Sequence, residues 1–364
     1  MLEQDVSIRR KRSDLNRSKK KKQPLWKKLV IFLAFELIFS TVTMPLIVFY
    51  GPFQTVKKTL VGMSWNTLNH QWIAKLFLSD KAIKNILGNS FVVDPVEHGE
   101  EIQQLNFAEN HSDKIEVFNI DGGNFEGKLM VVHDPTKLVV GYSNKLSSGD
   151  DASANLAAGE TTSAIAKENG AIAAINAGGF MDAAPSGSNK WTGTGGIPMG
   201  FIIHDGKVVF NQYDSEEKKL DTAAFDDMGR LIVGKHSITQ LKRLNVKEGV
   251  SFGPPLIVNG KPTITQGDGG YGLNPRTAIG QRQDGAVLLL VIDGRSLKSL
   301  GASLRDAQDI LLKYGAVNAV NLDGGSSTTM YYKGKLINTP CDTLGERTVP
   351  TVFMVAPGEG GSGQ

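Results

Sequence analysis

The chain has 364 residues, 40 Lys+Arg against 37 Asp+Glu, one cysteine, 41 glycines and 40% hydrophobic residues. That length and apolar fraction bury a real core and exclude a wholly disordered chain, and a lone Cys341 excludes an intramolecular disulfide framework or a multi-cysteine zinc site. The net charge of +3 averages two unlike regions, because residues 1–28 hold eleven basic and three acidic side chains (+8) and the remainder holds 29 basic and 34 acidic (−5). A basic arm on an acidic body lacks the extended positive surface that nucleic acid requires, so no nucleic-acid partner is expected.

After the basic tail, residues 29–50 read LVIFLAFELIFSTVTMPLIVFY, 22 residues without Lys or Arg. As a helix this run is about 33 Å long, enough to cross a bilayer. Basic residues on its N-terminal side place residues 1–28 in the cytoplasm and 51–364 outside, a single-pass plasma-membrane arrangement with an extracellular body. A cleaved signal peptide and a buried core helix are the alternatives. The first wants a shorter apolar core and a small-x-small cleavage site, which MPLIVFYGPF does not offer. The second does not account for the lysines at 20–28. Glu36 costs about 2.5–3.5 kcal/mol at mid-bilayer, less near the interface, and Pro45 is tolerated near a membrane-helix end.

Residues 51–109 form a helical stem, with Leu68, Trp72 and Leu76 on one face. It is a spacer on the body or the membrane surface, or a helix for a partner. From Lys114 onward short β-rich runs alternate with Gly-rich turns, at 115–120, 128–133, 138–142, 171–175, 199–204, 207–210, 231–233, 256–258, 277–280, 286–292, 317–322, 329–332 and 351–355. Asp205-Gly206 and Asn259-Gly260 read as hairpin turns, Lys333-Gly334 as a weaker one. Helices are few, at 162–169 and at 303–314, where Ser303 is the N-cap and Gly315 closes the helix. The class is α+β: a large mixed β-sheet domain spanning 110–357, with few helices and one C-terminal βαβ unit, preceded by a single transmembrane helix. Residues 358–364 are a flexible tail.

Two strand ends are alike. Residues 286–292 run into Asp293-Gly294-Arg295, and 316–322 run into Asp323-Gly324-Gly325-Ser326-Ser327, with the 303–314 helix between. As neighbours in one βαβ unit with a right-handed crossover, their C-terminal ends bring two carboxylates to one crevice. Sequence does not choose between the close carboxylate pair of a retaining glycosidase and the wider pair of an inverting one. A single Asp-Gly is usually a turn; two at matching strand ends point to a site. Gly324 to Ser327 present N–H groups and hydroxyls to an anion, and Arg276 and Arg295 offer bidentate donors for phosphate. No Walker sequence and no G-x-S-x-G elbow occurs. The six histidines lack metal-ligand spacing, and no cofactor is implied; a divalent cation near Asp268 in GDGGYG stays open.

These runs (VNLDGGSSTTMYYKGKLIN, with AINAGGF, GFIIHDGKVV, GPPLIVNGKP, NPRTAIG and LLLVIDGR) resemble the phosphodiester glycosidase family in order over residues 110–357. One member of that family is a lysosomal enzyme that removes N-acetylglucosamine from a phosphodiester on mannose 6-phosphate. The anchored layout without paired cysteines resembles bacterial members of cell-wall or exopolysaccharide context. The resemblance implies that Asn176 contacts sugar or phosphate and that Gly178 and Gly179 let substrate approach. It implies that Arg276 clamps the phosphodiester, and that Asp293, Arg295, Asp323, Gly324, Gly325 and Ser326 complete the site, Asp293 and Asp323 being catalytic. The expected activity is hydrolysis of the glycosidic C–O bond of a sugar-1-phosphodiester in a phosphorylated glycan. The alternatives are a non-catalytic factor that binds the phosphorylated glycan during exopolysaccharide assembly, and a phosphodiesterase that cuts P–O.

Overall fold

The computed structural model describes residues 24–65, 71–87, 112–147, 158–181, 194–342 and 345–357. The basic tail up to residue 23, the stem from 88 to 109 and the tail at 358–364 lie outside the described residues. The chain divides into two units, residues 1–54 and 55–364.

The first unit is built on α1, Leu25–Tyr50. It starts four residues before the apolar run, directly after Pro24, and takes in Lys27 and Lys28. Pro45 deprives Thr41 of its usual helical donor, and one turn back the Thr41 hydroxyl donates to the Leu37 carbonyl at 2.6 Å. The helix is long and apolar enough to cross a membrane, as either an anchor or a signal sequence would be. Apolar side chains along it, Phe32, Leu37 and Ile38 among them, are exposed, and Phe49 near its end is buried.

The second unit opens with three short helices, α2 (Gln54–Trp65, from Thr55 on), α3 (Gln71–Phe77) and α4 (Asp80–Leu87). Val61, Ala74 and Ile83 are buried, whereas Trp72 and Leu76 are exposed; Leu68 lies outside the described residues. Three further helices follow: α5 (Thr162–Glu168), α6 (Ile238–Arg243) and α7 (Leu304–Lys313). Ser303 caps α7 as expected, in a reciprocal box in which Asp306 accepts from the Ser303 N–H.

Three sheets carry the body, and every ladder among the described residues is antiparallel. The largest runs Ile115–Asp121, Glu126–Val132, Val287–Ile292, Arg276–Arg282, Ala316–Leu322, Pro255–Val258, Lys261–Pro262. A second runs Lys207–Asn211, Phe201–His204, Val246–Ser251, Leu220–Asp226, Leu231–His236. The third runs Lys335–Leu336, Met330–Tyr332, Ala173–Asn176, Thr351–Val355, Leu138–Tyr142. The run VLLLVI is buried on both faces. Val287, Leu289 and Val291 enter the central cluster with Ile175, Phe225 and Phe353 of the other two sheets, while Leu288, Leu290 and Ile292 meet Leu304 and Leu311 of α7. Buried polar groups join the sheets. Glu248 accepts from the Val140 and Asp205 N–H groups at 2.7 and 3.0 Å.

The hairpin signals form left-handed two-residue turns, with φ of +50° and +71° at Asp205-Gly206, +51° and +76° at Asn259-Gly260, and +47° and +86° at Lys333-Gly334. Two of the longer strands escape a reading by pattern, as do the short pair Glu160–Thr161 and Thr348–Val349. Leu220–Asp226 is rich in alanine, and Val246–Ser251 is broken by Lys247, Glu248 and Gly249. Those residues serve tertiary needs: Glu248 joins sheets, and a Cβ at Gly249 would lie 2.9 Å from Ala224. α6 also escapes, although Ser237 and Gln240 form a legible capping box.

One expectation is corrected. Val287–Ile292 and Ala316–Leu322 flank α7 and point the same way, but they are not neighbours. Arg276–Arg282 lies between them, antiparallel to both. The hairpin strand fills the space beside its partner, so the chain leaving α7 pairs on its far side.

Candidate active site

Asp293 and Asp323 leave their strands on either side of Pro275-Arg276, since Arg276 pairs with Ile292 and Thr277 with Leu322. The glycine after each aspartate has a steric cause. A Cβ at Gly294 would stand 2.8 Å from the Pro275 nitrogen, and one at Gly324 would stand 2.7 Å from the Pro275 carbonyl oxygen. Both chains therefore close onto Pro275, two strand steps apart, roughly 9.6 Å at the backbone.

Asp293 is half-buried. Its carboxylate accepts from Asn338 Nδ2 at 2.9 Å and from the Thr339 N–H at 3.1 Å. Burial pushes the Asp293 carboxyl above the usual aspartate range, and the Asn338 and Thr339 donors pull it partly back. Asp323 is fixed through its backbone. Its N–H donates to the Ala177 carbonyl at 2.9 Å, and its carbonyl accepts from Asn176 Nδ2. The third sheet thus sets the loop that follows Ala316–Leu322.

The Gly-Gly-Ser-Ser turn carries a guanidinium on each side. Arg295 adopts a left-handed backbone, φ +59°, and its side chain crosses Gly325, where a Cβ would lie 3.3 Å from Nη2. Arg295 Nη2 donates to Asn274 Oδ1 at 3.2 Å, and Nη1 sits 4.0 Å from Cys341 Sγ. Burial raises the Cys341 thiol, with Arg295 opposing. On the other side Arg347 Nη1 donates to Ser326 Oγ at 2.9 Å, and its guanidinium lies 5.0 Å from the Phe180 ring centre.

Four residues expected at the substrate, Asn176, Gly178, Gly179 and Arg276, make their contacts within the protein. Asn176 is fully buried, and its Oδ1 accepts from the Thr277 hydroxyl at 2.8 Å and the Thr329 N–H at 3.1 Å, so its amide holds the site's loops. Gly178 and Gly179 pack on protein: a Cβ would stand 3.0 Å from Thr351 Oγ1 and 2.8 Å from the Phe252 ring, respectively. Arg276 lies buried beneath the surface and donates to the carbonyls of Ala302 at 2.9 Å, Gly272 at 2.6 Å and Tyr271 at 3.3 Å. Its pKa is pushed down to about 10, chiefly by burial. Asp293, Arg295, Gly325, Ser326 and Asp323 do come together. Asn274 and Asn338 stand inside the runs NPRTAIG and VNLDGGSSTTMYYKGKLIN but nothing in those runs marked them as site residues, and Arg347 lies outside every quoted run. Asp268 caps its own turn by accepting from the Gly270 N–H at 2.9 Å.

Residues 169–356 match the family model for phosphodiester glycosidase. The SPbeta prophage-derived protein YomE of Bacillus subtilis is 31% identical over 231 residues, 62% of this chain and 32% of that protein. The cattle N-acetylglucosamine-1-phosphodiester alpha-N-acetylglucosaminidase is 29% identical over 182 residues, 48% of this chain and 32% of the enzyme. This chain therefore spans about a third of the length of the curated relatives it matches. The zebrafish enzyme's catalytic domain, in a form auto-inhibited by its pro-peptide, superposes with a TM-score of 0.56 at 22% identity, covering 72% of this chain and 91% of that one. The fold is thus shared with that domain, and, with its family match over more than half its length, this chain belongs to the phosphodiester glycosidase family.

Proposed function

We propose that the chain is a membrane-anchored, extracytoplasmic hydrolase that cleaves the glycosidic C–O bond of a sugar-1-phosphodiester in a cell-wall or exopolysaccharide glycan. The observation that supports it best is the placement of Asp293 and Asp323 on either side of Pro275, beside a Gly-Gly-Ser turn flanked by Arg295 and Arg347. Such an arrangement offers carboxylates to an oxocarbenium-like centre and cations to the departing phosphate. The leaving group is a phosphate monoester, which needs little protonation, so the two guanidiniums stand in for a general acid. Asp293, whose carboxyl is raised by burial, takes the proton from the attacking water. Asp323 faces the developing charge at the anomeric carbon. Arg276 supports from below by fixing the loops at 271–272 and 302.

The test is turnover of a glycosyl-1-phosphodiester in ¹⁸O-labelled water. Label in the free sugar marks C–O cleavage, and label in phosphate marks a phosphodiesterase. Asp323→Asn is expected to lose about 10³-fold or more in kcat. Near-normal turnover by that variant sinks the assignment, and tight binding of the intact diester by wild type with no product after long incubation marks a binding factor instead.

A further inference from the structure

We infer that α2, outside the family-matched region, is a positioning element for the active site, acting through a backbone contact between Gly62 and Gly272. The functional readout rests on the hydrolase reading above; the contact and its mechanical consequence do not.

The contact is unusually close. A Cβ at Gly62 would stand 2.9 Å from the Gly272 nitrogen and 3.1 Å from its Cα. The reverse also holds: a Cβ at Gly272, which has φ +60°, would stand 2.8 Å from the Met63 nitrogen and 3.0 Å from the Thr59 carbonyl oxygen. Two backbones meet with no side chain between them, so this face of α2 has no room for any other residue. Val61 and Ser64 beside the contact are buried.

Gly272 belongs to the loop that holds the site. Its carbonyl accepts from Arg276 Nη2 at 2.6 Å, and the Tyr271 carbonyl accepts from Asn274 Nδ2 at 2.8 Å and from Arg276 Nη2 at 3.3 Å. Asn274 in turn receives Arg295 Nη2 at 3.2 Å. The next residue, Pro275, is the one on which Gly294 and Gly324 close. A displacement of loop 271–274 therefore reaches the proposed phosphate-binding Arg295 through one hydrogen bond, and both aspartates through Pro275. Arg276, buried and fully charged, cannot tolerate loss of its carbonyl partners without rearrangement.

Local helix propensity and the Gly62–Gly272 contact pull in opposite directions. Alanine favours a helix more than glycine does, so Gly62→Ala strengthens α2 in isolation. In the whole protein it pushes on Gly272. The experiment compares full-length wild type, Gly62→Ala, Gly62→Leu and the exposed control Lys58→Ala in detergent, by amide hydrogen exchange read peptide by peptide and by kinetics on a glycosyl-1-phosphodiester. The expected result for Gly62→Ala, larger for Gly62→Leu, is faster exchange confined to residues 54–65, 267–276 and 293–301, with peptides across 246–258 unchanged. KM is expected to rise about fivefold or more, and kcat to change less. The control matches wild type in both readouts. Unchanged exchange at 267–276, a uniform rise over all peptides, or altered exchange with unchanged KM overturns the positioning role. If wild type turns over no glycosyl phosphodiester, the activity reading fails, and the exchange pattern alone decides whether α2 holds the loop.

Discussion

Asp293 is the side chain whose surroundings speak most directly to chemistry. Burial favours its protonated form, while Asn338 and the Thr339 N–H favour the carboxylate. As a base it works only when deprotonated, so kcat/KM falls as pH drops through a value above the ordinary aspartate range. Asn338→Ala removes a donor to the carboxylate and moves that acid limb to higher pH; a limb that stays put or moves down means that Asp293 is not the base. Asn176 makes the complementary case. Its amide serves the Asp323 carbonyl, the Thr277 hydroxyl and the Thr329 N–H inside a fully buried site. Asn176→Ala strands these groups and is expected to destabilise the fold by about 2–4 kcal/mol, read from a urea midpoint. A substrate-contacting asparagine would instead change KM at constant stability. Sequence marked Asn176 as a site residue through its motif, yet a motif does not distinguish a residue that touches substrate from one that holds the loop that does.

At the scale of elements, the strand between the two aspartates sets the spacing of their backbones. With Arg276–Arg282 inserted, their strands are two steps apart, roughly 9.6 Å, where adjacent strands would be about 4.8 Å. On the proposed hydrolase reading, this wider strand spacing predicts inversion, in which a water stands between carboxylate and anomeric carbon. Proton NMR of the first-formed sugar is expected to show the anomer opposite to that of the substrate; the same anomer requires the carboxylates to converge and one of them to attack. Most of the longer strands and α7 were legible from composition, caps and Asp-Gly or Asn-Gly turns because these are local preferences. Their lateral order was not, because hydrogen-bond partners in a sheet are chosen by long-range pairing, and RTAIGQR carries no mark that it sits between two apolar runs. Arg276 shows the same limit. An arginine in NPRTAIG reads as a phosphate ligand until the fold places three backbone carbonyls around it.

For the whole molecule, the proposed topology rests on the charge division. Residues 1–28 carry +8 and residues 29–364 carry −5, and a basic flank before the apolar helix favours retention of the tail in the cytoplasm. An epitope appended after Gln364 is expected to be reached by antibody on intact cells, and one placed before Met1 only after permeabilisation. Release of the C-terminal epitope into the medium would instead identify residues 25–50 as a cleaved signal sequence. The sequence by itself determined what depends on neighbours along the chain: the apolar span, the hairpin turns, the capped helix and the two Asp-Gly strand ends with their family motif. Only the tertiary structure decided which strand separates the aspartates, that Arg347 rather than Arg276 lies against the Gly-Gly-Ser turn, and that Gly62 meets Gly272. Those facts depend on which distant backbones approach one another, and close approach is set by packing of the three sheets, not by local pattern.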